Sequence, residues 1–143
     1  MVAVSLEHIR VTQLSRIETK GGDVLHAMKQ SSPGFAGFGE AYFSWVEPGV
    51  VKAWKRHARM TMNLVVPIGN VRFVFFDQDT QSYREETVGE NNYARLTVPS
   101  NIWFGFQGLG SSPCLVLNMA SIEHDPDEVA RCALSDFNFN WSR

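Results

Sequence analysis

Cysteine is scarce in this chain. Cys114 and Cys132 are the two among 143 residues, too few for a disulfide framework and not spaced as a metal-binding CxxC pair. Charge of one sign is also lacking. Thirteen Lys and Arg stand against fifteen Asp and Glu, a net charge of −2, which argues against a general nucleic-acid binder, because such binding rests on neutralising phosphates. No apolar run approaches the roughly 20 residues of a bilayer-crossing helix, so no membrane partner is expected. The opening MVAVSLEHIR has no charged start, apolar core and cleavage site of an export signal, and a cytoplasmic location is expected. There is no internal repeat and no break in composition. One domain over residues 1–143 is therefore expected, long enough to bury a real core.

Aromatic side chains, in contrast, are plentiful. Ten Phe and four Trp favour pleated strands over a helical bundle. Strand-like runs follow one another between turn signals: residues 4–14, 24–28, AYFSWVEP, 50–57, 60–66, 71–76, 83–88, 94–98, IWFGFQGLG and 114–119. Pro67–Asn70 reads as a hairpin connection between two of them. Short strands at intervals of about ten residues predict an all-β sandwich or barrel, and a jelly-roll β-barrel is the architecture whose interior holds a small ligand. The one helical candidate is short, DPDEVAR at 125–131, with Asp125 as N-cap and Pro126 in the first helical position.

The most unusual stretch is GVVKAWKRHARMTMNLVVPIG, residues 49–69. Lys52, Lys55, Arg56, His57 and Arg59 crowd one strand around Trp54. Cations held on a sheet suggest a pocket for an anionic ligand; an edge strand guarded by lysines is the alternative. Lys52 and Arg56 suit a pyrophosphate. Trp54 and Trp103 offer faces that stack on a base or sugar. Gln107 and Asn118 are polar residues in apolar strands, and each needs a ligand hydroxyl or a backbone group as partner. His124 beside Asp125 could act as a His–carboxylate pair, although Asp125 also reads as a helix cap.

The spacing of Gly49, positions 55, 57 and 62, and Gly69 resembles the first metal motif of the cupins. Lys55, Met62 and, in the second motif, Phe104 replace its ligands, and His57 alone remains. An imidazole, a thioether and an ammonium do not hold a hard divalent ion, so no metal and no other cofactor is expected.

GVVKAWKRH, VPIGNVRFVFFD, ENNYARLTVPSNIWFGFQGLG and EHDPDEVAR together resemble the dTDP-4-dehydrorhamnose 3,5-epimerase superfamily, in its short epimerase-related branch among surface-polysaccharide genes. The resemblance implies a cupin-type jelly roll acting on a nucleotide-linked 4-keto-6-deoxy sugar, by epimerisation or ketoisomerisation through an enolate. It also implies a homodimer formed through N-terminal strands, here residues 1–13. By the family's motifs its base histidine falls on Lys55, its enolate-stabilising lysine near Met62 and a further histidine on Phe104. Its tyrosine has no counterpart in the strand 114–119. The acid/base candidates are then Lys55 itself, made less basic by burial and neighbouring cations, or His57, on the same strand face. The related 3,4-ketoisomerases carry His-x-His at positions equivalent to 55 and 57. A non-catalytic sugar-nucleotide-binding or scaffold cupin that has lost the acid/base residues is the other expectation.

Overall fold

A computed structural model describes residues 4–142. Twelve strands run in order: β1 (Arg10–Gln13), β2 (Arg16–Ile17), β3 (Val24–Leu25), β4 (Glu40–Val46), β5 (Val51–His57), β6 (Met62–Ile68), β7 (Asn70–Asp77), β8 (Ser82–Gly89), β9 (Ala94–Val98), β10 (Trp103–Gly108), β11 (Cys114–Ala120) and β12 (Val129–Arg131). They form two five-stranded sheets, the first in order β1-β9-β6-β11-β4 and the second β12-β5-β10-β7-β8, with β2 and β3 as a separate ribbon. The pairing is nested and antiparallel: β4 with β11, β5 with β10, β6 with β9, and β7 with β8. That nesting makes a jelly roll, a long hairpin folded over into two facing sheets.

Gly69 is the corner of this fold. Pro67–Asn70 does not close a hairpin, since β6 and β7 lie in different sheets. The chain crosses between them with Gly69 at φ +81, where a Cβ would stand 2.6 Å from Cys114 Sγ. Both the left-handed backbone and the close sulfur favour glycine. The predicted helix at 125–131 is likewise replaced by a single 3-10 turn, Pro126–Glu128, capped by Asp125 and leading straight into β12. At the N-terminus, a 3-10 turn at Leu6–His8 precedes β1 where one strand was expected. Residues 1–3 of the predicted dimer segment lie outside the described residues. Among the described residues, no helix is long and apolar enough to cross a membrane.

Between the sheets lies an apolar core that includes Met62, Leu64, Val71, Phe73, Phe75, Leu96 and Val116. A second cluster, Trp54, Val74, Phe76 and Trp103, sits on the outer face of the second sheet beneath Phe137, Phe139 and Trp141 of the C-terminal segment. This cover explains why β7, NVRFVFFD, is buried on both faces and reads as a continuous apolar run.

Candidate functional site

A cavity of about 460 Å³ opens between the two sheets, with β5, β10 and β12 on one wall and β4, β6 and β11 on the other. The geometry of β5 decides which of its side chains enter. Against β10, Phe104 pairs with Lys55, but Gly105 pairs with Ala53 and Phe106 with Lys52. One extra residue is thus inserted at Trp54, a β-bulge. In a regular strand Lys52 and Lys55, three apart, would face opposite sides. The bulge puts both on the inner face, while His57 follows two residues after Lys55. Gly105 makes room for it, since a Cβ there would lie 2.4 Å from Ala53 Cβ.

The same geometry turns other predicted residues away. Trp54 borders the cavity, but its ring packs 5.4 Å from Phe137 and 5.5 Å from Trp141, and its indole N–H donates to Leu134 O at 3.1 Å. Arg56 pairs with Ala130 on the opposite face and lies 5.0 Å over the Trp103 ring, whose indole N–H donates to Gln78 Oε1 at 2.9 Å. Arg56 and Trp103 line a separate surface depression together with the Leu6 turn. Gln107 accepts a hydrogen bond from Arg72 and donates to Gly49 O, also outside the cavity. His124 is exposed in the loop before Asp125, away from the cavity wall. Of the predicted set, then, Lys55, His57 and Asn118 come together inside with Lys52 at the rim, Trp54 shares only the wall, and Arg56, Trp103, Gln107 and His124 do not enter.

His57 is 5% exposed, and its Nδ1 lies 2.5 Å from Glu128 Oε2. The other carboxylate oxygen of Glu128 accepts from the backbone N–H of Arg59 at 3.0 Å and of Met60 at 2.9 Å. Glu128 is brought there by the Asp125-capped turn, where Asp125 accepts from Asp127 N–H and pairs with Arg59 at 2.6 Å. Burial opposes the Glu128 charge, but the bonds from His57 and the two backbone N–H groups outweigh it and hold the carboxyl below its ordinary value. A charged carboxylate only accepts, so His57 keeps its hydrogen on Nδ1 and turns the Nε2 lone pair to the cavity. Burial, reinforced by the charges of Lys55 and Arg131, lowers the His57 pKa below 6.5 despite Glu128. The shift favours the neutral imidazole. Phe104 lies nearly parallel to it, 5.9 Å between centroids at 17°.

Lys55 shares the inner face with Arg131 of β12, its direct pairing partner. Burial, and then the charges of Arg131 and Lys52, make its ammonium less basic than the usual lysine. Lys52 stands at the rim, donating to Trp45 O at 2.9 Å. Across the cavity, Asn118 of β11 pairs with Tyr42 of β4, and its amide Nδ2 donates to the Tyr42 oxygen at 3.1 Å. Asn118 Oδ1 is buried without a partner among the described residues.

Glu128, Tyr42 and Arg131 are the site residues that the sequence did not single out. Glu128 was legible only as an acid in a first turn, and nothing local ties it to a histidine 71 positions away. Tyr42 lay in an aromatic run whose inner and outer faces the alternation left open. At the cupin ligand positions the cavity presents Lys55, His57, Met62 and Phe104, a donor set that does not fit a divalent metal.

No family model matches the sequence. A solved dTDP sugar isomerase from Desulfovibrio desulfuricans G20 is 37% identical, with a TM-score of 0.90 over 95% of this chain and 92% of that one. The chain belongs to the family of this dTDP sugar isomerase. Among curated proteins, a probable low-salt glycan biosynthesis epimerase, Agl13 of Haloferax volcanii, is 32% identical over 97 residues, the match spanning 62% of each. The spore coat polysaccharide biosynthesis protein SpsL of Bacillus subtilis is 25% identical over 96% of this chain and 97% of its own length. Three solved dTDP-4-dehydrorhamnose 3,5-epimerases share the fold at 15–17% identity, with TM-scores of 0.77–0.80.

Proposed function

We propose that this protein is an epimerase that inverts a carbon beside the ketone of a nucleotide-linked 4-keto-6-deoxy sugar, in the assembly of a surface polysaccharide. The observation that carries this reading is the placing of two proton-transfer groups on facing walls. A neutral imidazole, oriented by Glu128, lies on the second sheet, and the Tyr42 hydroxyl lies on the first. Inversion needs that division, because the proton must leave one face of the carbon and return to the other.

In the proposed sequence His57 Nε2 takes the C–H proton, and the electron pair moves onto the C4 oxygen to give an enolate. The Lys55 ammonium, beside Arg131, stabilises that developing charge in a partly desolvated cavity. Tyr42 then gives its O–H proton to the same carbon from the opposite face; its phenolate recovers a proton from solvent, and the His57 imidazolium releases the abstracted one to solvent. Lys55 stands where the superfamily's base is expected, and we assign it the electrophilic part. The base becomes His57, because the carboxylate orients His57 and burial keeps it neutral. Lys52 and Arg131 supply positive charge near the mouth for the diphosphate. With the metal positions occupied by Lys55, Met62 and Phe104, the proposed reaction runs on side chains alone.

A nucleotide-sugar substrate suits a cytoplasmic enzyme, and the resemblance suggests a homodimer. Phe43, Trp45 and Ile68, 62%, 57% and 44% exposed on the outside of the first sheet, offer an apolar surface for the second copy.

Incubation with dTDP-4-keto-6-deoxyglucose, followed by proton NMR of the sugar ring, tests the reaction. Inverted coupling constants at C3 or C5 are expected. A 3-keto product would make the protein a ketoisomerase. Saturable binding with an unchanged sugar would leave a non-catalytic sugar-nucleotide cupin.

A further inference from the structure

Asn118 is 3% exposed on the inner face of β11, and its two amide ends do different things. Nδ2 points at Tyr42 Oη, 3.1 Å away, and at Met60 Sδ, 3.8 Å away. A thioether sulfur accepts and cannot donate, so both contacts match an NH2 at this end of the amide. Oδ1 is left in the cavity wall with no partner among the described residues. Buried acceptors of this kind are rare in a folded chain unless something else completes them.

The consequence lies in the direction of one hydrogen. A phenol oxygen that accepts from an amide keeps its own O–H free to point elsewhere. Tyr83 and Tyr93, the other two tyrosines of the chain, do the reverse: their hydroxyls donate to Asn138 O at 2.9 Å and His26 O at 2.7 Å. Neither has a hydrogen to spare for a ligand.

We propose that Asn118 is a positioning residue that turns the Tyr42 hydroxyl hydrogen into the cavity, while its free Oδ1 accepts a hydroxyl of the ligand beside the carbon that Tyr42 serves. This rests on Tyr42 being the returning acid. It narrows the substrate class to an α-hydroxy ketone: the ketone oxygen meets Lys55, and the neighbouring hydroxyl meets Asn118. A sugar that lacks this hydroxyl leaves the acceptor buried and unpaired, and binds more weakly.

Asn118→Asp separates the two roles. A carboxylate still accepts from the ligand hydroxyl but can only accept from Tyr42 too, so the phenol hydrogen swings away from the ligand onto residue 118. In deuterated buffer, loss of the substrate C–H to solvent through His57 is expected to stay within about tenfold of the native rate, while formation of the inverted sugar falls by about 10² or more, the contribution of a positioned general acid. The Raman Fermi doublet of the Tyr42 ring, isolated by subtracting the Tyr42→Phe spectrum, reads the hydrogen directly. It is expected to be of the acceptor type in the native protein and of the donor type in Asn118→Asp. Asn118→Leu, close in shape and uncharged, covers the case in which the aspartate disturbs folding; it should raise KM for the hydroxylated sugar and leave KM for its deoxy analogue unchanged. An unchanged doublet in Asn118→Asp, or native inversion by that variant, would overturn the proposal. A doublet that switches as expected in a protein that never exchanges sugar hydrogens would uphold the Asn118–Tyr42 arrangement and refute the epimerase function.

Discussion

Replacing Glu128 by glutamine tests the orienting carboxylate at almost constant shape. Glu128 accepts three bonds, from His57 Nδ1 at 2.5 Å, Arg59 N at 3.0 Å and Met60 N at 2.9 Å. The two backbone N–H groups can only donate, so the glutamine keeps its carbonyl oxygen toward them and presents its NH2 to His57. Two donors then face each other unless the ring moves its hydrogen from Nδ1 to Nε2, and the lone pair aimed into the cavity is lost. Where a carboxylate orienting a catalytic histidine has been neutralised in this way, kcat falls by about 10⁴, or about 5.5 kcal/mol of barrier at 1.36 kcal/mol per decade. The cost to stability is much smaller. A charge-assisted bond becomes at best a neutral one, a loss of about 1–2 kcal/mol, against a typical total of about 5–15 kcal/mol. A fall in activity of that size therefore cannot be loss of folded protein. Turnover of Glu128→Gln is expected to drop by about 10³–10⁴ with a thermal midpoint only a few degrees lower, and 15N NMR should place the His57 hydrogen on Nε2. A rate within tenfold of native, or a ring that keeps Nδ1–H, would refute the orienting role.

Four further outcomes follow from the same structure. Because the folded protein holds His57 below 6.5 and Glu128 below 4.5, the unfolded chain binds protons first at both groups as pH falls. Stability should thus be full above about pH 6.5, decline below it as His57 titrates in the unfolded chain, and decline further below about 4.5; thermal midpoints between pH 8 and 4 check this, and His57→Asn should flatten the upper part. The acid limb of the rate profile should have its midpoint below 6.5. Lys55→Met, which keeps the stem and removes the ammonium, should lower kcat by about 10²–10³, as loss of one oxyanion-stabilising donor does. Steady-state rates check it, and an effect confined to KM would reassign Lys55 to ligand binding. Light scattering on a sizing column is expected to show a dimer that Trp45→Glu converts to monomer; an unchanged mass for the variant would place the contact elsewhere.

Much of the fold was legible because turn chemistry and alternation are local. The runs at 40–46, 51–57, 70–77, 82–89, 94–98 and 114–120 are strands within a residue or two of expectation. Their pairing was less so. Gly69 looks the same in sequence whether it closes a hairpin or turns the corner between sheets, and only long-range pairing of β6 with β9 and β11 decides it. The site shows the same limit. Lys52, Trp54 and Arg56 interleave with Lys55 and His57 in the sequence, although in a regular strand positions 52, 54 and 56 face one side and positions 55 and 57 the other. A single bulge at Trp54 sends Lys52 inward and Trp54 outward, and the room for it comes from Gly105, on a strand fifty residues away. Asp125 was read correctly as a cap, but the turn it caps exists to deliver Glu128 to His57. That contact is set by the pairing of β12 with β5, which no local pattern encodes.

The most direct measurement is deuterium at the ring carbons after incubation with dTDP-4-keto-6-deoxyglucose in deuterated water, read by mass and NMR. One solvent deuterium is expected at the carbon beside the ketone, on the face opposite the original hydrogen, and none when His57 is replaced by asparagine. A sugar that binds saturably and returns with every carbon-bound hydrogen in place would contradict the assignment of His57 and Tyr42 as base and acid.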